Sequence, residues 1–187
     1  GALAHGAIRT DAILLAQAHR PVTETTQQPD APSDPAEEDA HGTAISAELT
    51  ALADLCFALT PAAERYAETA STGSAFALAA GAWPAAILTR LPQPCPYPIA
   101  VGAIAAAHDL ELSHTLLGFL TANVQAQISV AVRLVPLGQT EGLRVLAALE
   151  PQVEALAVEA AGAPLAALGA VAYAADIAQM RHETLET

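Results

Sequence analysis

Arg133-Leu-Val-Pro-Leu-Gly-Gln-Thr-Glu-Gly142 interrupts a sequence built mostly from Ala and Leu, and its reading decides the fold. Before it, residues 112–132 run without a formal charge. Pro136 then removes a backbone donor, Gly138 frees the backbone, and Gln139, Thr140 and Glu141 open a second helical pattern. That is helix, break, helix. Thr140 offers a hydroxyl suited to capping a helix N-terminus, and Glu141 puts a negative charge where the helix dipole favours one. Taken singly, Pro136, Gly138 and Thr140 need be no more than a well-made interhelical corner.

Outward from the corner the pattern stays helical on both sides. Residues 112–132 read as the longest helix and, by length, invite a transmembrane reading. His114, Thr115, Asn123, Gln125, Gln127 and Ser129 interrupt the run and no Lys or Arg flanks its start, so a central core helix fits better. Leu116, Phe119, Asn123, Gln127 and Val130 share one face, which predicts hydrogen bonds for Asn123 and Gln127 in the core or across a subunit contact. Downstream, Leu143, Leu146 and Leu149 mark the next helix and Pro151 starts another to about residue 161. Gly162, Pro164 and Gly169 then precede a terminal helix over 171–185.

Upstream, residues 2–18 read as helical and Arg20-Pro21 ends them. A polar stretch within 21–43, rich in Thr, Gln, Pro, Asp and Glu, predicts a mobile acidic loop. Glu37, Glu38, Asp39 and His41 in it could hold a divalent ion loosely or simply be solvated. Ile45, Leu49, Leu52, Cys56 and Leu59 make 43–59 an amphipathic helix, and Thr60-Pro61 looks like an N-cap with Pro at the first helical position. The next helix carries Tyr66, Thr69, Gly73 and Phe76 along one side, where small residues let a neighbour approach. A short helix through Leu91, a stiff connector with Pro92, Pro94, Pro96 and Pro98, and a helix over 97–108 ending at an Asp109 turn complete the pattern. No segment alternates like a strand. The expectation is an all-α, single-domain bundle of seven to nine helices spanning 1–187.

Composition agrees with one domain. At 187 residues and 53% apolar content the chain is long enough to bury roughly 70% of its extended surface. Only 4% of residues are aromatic, so the core must be Ala, Leu, Val and Ile. All seven basic residues are Arg, which removes phosphate-loop, Schiff-base and general-base lysines together. A net charge of −13 argues against nucleic acid and anionic membrane and favours a basic protein surface. Two cysteines, at positions 56 and 95, make no disulfide framework, and nothing resembles a secretion signal. A reducing, cytoplasmic protein is expected.

Catalytic patterns are missing. His108 and His114 point to different helix faces, and neither Cys-x-x-Cys nor His-Glu-x-x-His occurs. His114 with Asp109 and Glu111 reads as a hard-ligand cluster or a helix-capping group, and Cys95 beside Tyr97 as a partner contact, a soft-metal ligand or a plain loop residue. Ser71 and Ser74 flank Gly73 without the first Gly of a nucleophile elbow. The expectation is a protein that is not an enzyme.

As an intact string, residues 133–142 resemble the signature of the urease accessory protein UreF family. Asp176-Ile-Ala-Gln-Met-Arg-His-Glu-Thr184 is similar to that family's closing Arg-His-Glu-Thr motif, and Glu64-Arg-Tyr-Ala-Glu-Thr69, Gly73-Ser-Ala-Phe76 and Ala82-Trp-Pro84 follow its order. The resemblance runs from about Leu3 onward. It implies an α-helical homodimer and a non-enzymatic maturation factor. Its partners would be UreD (also called UreH), the GTPase UreG and apo-urease, into which nickel is inserted as GTP is hydrolysed. GTP and magnesium then belong to the GTPase and nickel to UreG and UreE, so no cofactor or metal ligand is assigned here. The implied partner-binding residues are Arg181, His182 and Glu183, then Arg133, Gln139 and Thr140, then Tyr66 with Glu68 and Thr69. Plainer readings stand beside these: a solvated C-terminal turn for 181–183, and a carboxylate partner for Arg133. Against the family pattern, a leading Pro-Gly-aromatic-Ser stretch and a basic tail after Thr184 are missing, and the chain opens on Gly, which predicts a fragment. The competing reading is a helical ligand-binding or regulatory domain whose pocket is lined by Tyr66, Trp83, Tyr97 and Phe119.

Overall fold

The computed structural model describes residues 6–26, 35–60, 62–135 and 137–169. Among the described residues stand six α-helices: α1 (Ala7–Thr26), α2 (Pro35–Ala58), α3 (Ala63–Ala80), α4 (Tyr97–Ala107), α5 (Leu112–Leu134) and α6 (Gln139–Gly162). Two 3-10 turns, Ala86–Thr89 and Leu165–Ala167, complete them. The all-α reading holds, and the described residues carry six α-helices where seven to nine were expected of the chain. The expected short helix before Leu91 is a 3-10 turn, the terminal helix over 171–185 lies outside the described residues, and Pro151 does not start a new helix.

Pro151 sits inside α6 because it stands on its exposed side, as does Ala147, whose carbonyl loses its helical partner there. Water can satisfy that carbonyl, while Val153, Leu156, Ala157 and Ala160 bury the opposite side and hold the helix on course. Pro21 is tolerated inside α1 for a related reason: Val22 beyond it is buried against Ile45 and Leu49, so burial carries the helix past Arg20-Pro21 to Thr26. Of the expected loop over 21–43, residues 21–26 and 35–43 are helical and 27–34 lie outside the described residues. Pro35 opens α2 from a position that needs no N–H donor, and the Thr43 hydroxyl donates back to the Asp39 carbonyl at 2.8 Å. Asp39 and His41 are exposed on that helix rather than in a loop.

The central helix is α1, not the uncharged run. Ala12, Ile13, Leu14, Leu15 and Ala16 are all buried, and α1 feeds two cores at once. Leu14, Ala18 and Val22 meet α2, the connector and α4, whereas Ile8, Ala12, Ile13 and Leu15 meet α5 and α6. Gly102 of α4 makes this possible. A Cβ there would overlap the Leu15 carbonyl and stand 3.2 Å from the Ala18 Cβ, so α1 and α4 pack almost backbone to backbone. Each fully buried Leu or Ile contributes about 1.5–3 kcal/mol.

Helix α5 lies on the flank. Its 23 residues and hydropathy of 1.3 suit a membrane span by length and composition, yet only 28% of that window is buried. Its inner face is Leu116, Phe119, Leu120, Val124 and Ile128, one step round from the face the sequence suggested. Gln127 and Val130 are exposed, and Asn123 donates to the Phe119 carbonyl within its own helix at 2.9 Å. At 24 residues, α2 and α6 are each longer than α5.

Candidate functional site

The α5–α6 corner is closely packed below and open above. Gly142 is buried, and a Cβ added there would meet Ile128 and Val132 Cγ2 at 3.1 Å, so the two helices touch through this glycine. Val135 ends α5 in extended backbone and Gly138 is the residue that starts α6. No side chain caps that end, so Thr140 is an exposed second helical residue rather than a cap. Glu141 is in the first turn and pairs with Arg144 at 3.7 Å. Arg133 is exposed; its Nε donates to the Ser129 carbonyl at 3.2 Å, and among the described residues it has no carboxylate partner. Leu134 is 79% exposed and Leu143 62% exposed beside it. The corner therefore presents apolar side chains, one unpaired guanidinium and two polar groups, Gln139 and Thr140.

Tyr66 belongs to another surface. It stacks on Phe57 of α2, ring centroids 4.4 Å apart, and nothing among the described contacts joins it to the corner. Next to it the sequence hid a structural pair: Arg65 Nη2 donates to Asp11 Oδ2 at 2.6 Å across α3 and α1, with Glu68 at 3.4 Å. Burial raises the Asp11 carboxyl above its ordinary 3.8, with Arg65 opposing the shift. No sequence signal could pair residues 54 apart. Thr69 and Gly73 are buried, as their size allowed: the Thr69 hydroxyl accepts the Tyr97 N–H at 3.2 Å, and a Cβ at Gly73 would strike the backbone of residues 95–97.

The UreF family model matches residues 1–150. The urease accessory protein UreF of Methylobacterium sp. (strain 4-46) is 44% identical over 190 residues, covering 97% of this chain and 67% of that protein. Those of Agrobacterium fabrum (41%, 99% of this chain and 74% of the relative) and Cereibacter sphaeroides strain KD131 (45%, 98% and 74%) are similar. The chain belongs to the UreF family.

In this UreF-family chain the remaining candidates sort plainly. Arg181, His182 and Glu183 lie outside the described residues. Among the described residues no group of three or more His, Cys, Asp or Glu side chains could hold a metal ion. His114 and Glu111 are exposed at the start of α5, 3.5 Å apart. Cys95 is neither a partner contact nor a loop ligand: it is fully buried, and burial pushes its thiol up to about 12. Burial does the same to Cys56, with Asp11 adding to it. The four aromatic residues do not converge on one pocket. Tyr97 lies between Phe76 and Phe119 in an internal row, centroids 5.7 and 5.5 Å away, while Tyr66 is on α3 and Trp83 faces an open groove.

Proposed function

We propose that this chain is a non-enzymatic scaffold of urease maturation. It bridges UreD (UreH) and the GTPase UreG so that nickel, as cargo, enters apo-urease when the GTPase hydrolyses its magnesium-bound GTP. The observation that carries this reading is the family relationship over nearly the whole chain, at 40–45% identity to proteins named for urease accessory function. The α5–α6 corner supports it physically. Exposed Leu134 and Leu143 around Arg133 are costly to leave in water and suit a protein contact.

Homodimerisation is part of the proposal. Residues 112–132 bear no formal charge on a chain of net charge −13, yet most of that helix is unburied. A contact that sets one surface against its own copy is least opposed where no charge lies. The scaffold acts in the cytoplasm, where its two thiols stay reduced. Co-purification with UreD/UreH and UreG, masses read by light scattering, tests this reading, first on the 187-residue chain and then with a basic tail added after Thr187. A stable complex in either form supports the scaffold; a folded monomer that retains neither partner overturns it.

A further inference from the structure

Between the end of α3, α4 and the start of α5 runs an open groove of about 610 Å³, lined by Phe76, Trp83, Ile104, His108, Leu110 and Gly118 among others. None of its lining residues is Asp, Glu, Lys or Arg. Trp83 at its rim is 67% exposed and Leu110 55%. Small residues keep it open: Ala79, Ala80 and Ala105 lie along it, and a Cβ on Gly118 would meet nothing within 4 Å. Leu110 is also the wall of a second cavity of about 370 Å³, where Glu24, Asp109 and Glu111 face a single Arg20. Arg20 is already engaged, donating to the Ala161 carbonyl at 2.6 Å. Apolar groove and acidic notch thus meet at one residue.

The turn that joins them breaks a local rule. Leu110 N–H returns to the Ala105 carbonyl and Asp109 N–H to the Ala106 carbonyl, both at 3.0 Å, the hydrogen bonds of a Schellman ending. The left-handed position in that ending favours glycine, yet Asp109 holds it at φ 57°. The chain thereby keeps a carboxylate at the mouth of the notch where a glycine would fit the backbone better.

We infer that groove and notch form one docking surface for a partner helix with an apolar face and a basic end. This deepens the scaffold reading and rests on it. Charge selects the occupant. A second copy seated on the same surface would bring the two carboxylate notches into one contact, whereas Lys or Arg at the end of an apolar helix would be complementary to Glu24, Asp109 and Glu111.

The test uses two synthetic amphipathic peptides of Leu and Ala, one ending in two Lys and one in two Glu, titrated while Trp83 fluorescence is followed. The Lys peptide should bind at least tenfold more tightly at low salt, with the gap closing as salt rises. Asp109→Gly, which relieves the left-handed backbone and so keeps the fold, should shrink that preference several-fold. Trp83→Ala, read by anisotropy of labelled peptides, should weaken both. Equal binding of the two peptides, binding of neither, or self-association through Trp83 overturns the inference. Co-purification with UreD/UreH and UreG separates this idea from the scaffold reading. A complex that survives undiminished in the Trp83→Ala/Asp109→Gly chain defeats the docking surface and leaves the scaffold standing. Lys-peptide selectivity without any complex does the reverse.

Discussion

Gly73→Ala and Gly118→Ala add the same methyl group to helix interiors, and the structure predicts opposite outcomes. At Gly118 the methyl enters open space, so only the backbone gain remains, about 0.5–1 kcal/mol in favour of folding. At Gly73 it would stand 2.7 Å from the Pro96 carbonyl carbon and from the Tyr97 nitrogen, with the Cys95 carbonyl oxygen nearer still. Ordinary contact begins near 3.4 Å, so α3 must withdraw by at least about 0.7 Å (3.4 − 2.7), and further to clear the Cys95 oxygen, from backbone that cannot rotate aside. Overpacking of this kind costs about 1–3 kcal/mol. Withdrawal also stretches the Tyr97 N–H to Thr69 hydroxyl bond, now 3.2 Å, for about 1 kcal/mol more. Less the same backbone gain, Gly73→Ala should destabilise by about 1–3 kcal/mol, lowering Tm by roughly 4–8 °C at the middle of that range. Urea denaturation followed by far-UV circular dichroism reads both variants against wild type. Equal stability of the two would refute the claim that α3 meets the connector backbone to backbone.

Four further outcomes follow from named residues. Arg65→Ala leaves the Asp11 carboxylate, only 16% exposed, without its partner and should cost about 3 kcal/mol, whereas Arg144→Ala breaks an exposed pair and should cost under about 0.5 kcal/mol by the same denaturation. Because burial raises the Asp11 carboxyl above 3.8, the folded chain holds that proton more tightly than the unfolded one; stability from this group falls as pH rises from 3.8 to the raised value and is flat above it. The advantage of wild type over Asp11→Asn should therefore shrink across that window, as measured by denaturation at stepped pH. With Cys56 and Cys95 at about 12, roughly one thiol in ten thousand is ionised at pH 8, so a thiol-reactive dye should label at the rate of unfolding and accelerate sharply in urea. Arg133→Ala with Gln139→Ala should leave Tm within about 2 °C, both side chains being exposed, while weakening retention of accessory partners in co-purification.

The fold class was legible because Pro136, Gly138 and the uncharged run before them leave few alternatives to two helices and a corner. What failed was the weight given to proline and charge as local punctuation. Pro21 and Pro151 read as breaks in the sequence, yet burial of Val22 and Val153 carries the helices through both. Local propensity for a break is worth about 3 kcal/mol, comparable to burying one or two apolar side chains. The central place of α1 is hidden in the sequence because Ile13, Leu14 and Leu15 read like any short apolar run, and only the close approach of Gly102 to the Leu15 carbonyl shows that the helix is enclosed on both sides. At the corner, the sequence named Arg133, Gln139 and Thr140 but could not say that Leu134 and Leu143 beside them point outward; helical period gives faces, not which face has a neighbour. Nor could it show that Asp109 is left-handed, which only the hydrogen bonds of Ala105 and Ala106 reveal.

Two surfaces of unlike charge on one helical body bear on how a scaffold sorts its partners. The corner offers apolar side chains around an unpaired Arg133, and the groove offers apolar lining that ends at three carboxylates and one engaged arginine. On the scaffold reading, a partner with an acidic contact is drawn to the first and repelled from the second, and a basic one the reverse. Apolar area supplies attraction to both and discriminates little, whereas a misplaced like charge costs more than a matched pair gains. The selectivity of such a chain therefore rests on its few guanidiniums staying where they are. Six of the seven arginines lie among the described residues: Arg9, Arg20 and Arg65 are tied to Glu159, Ala161 and Asp11 within the bundle and Arg144 pairs with Glu141, whereas Arg133 at the corner meets only the Ser129 carbonyl of its own helix and no carboxylate among the described residues.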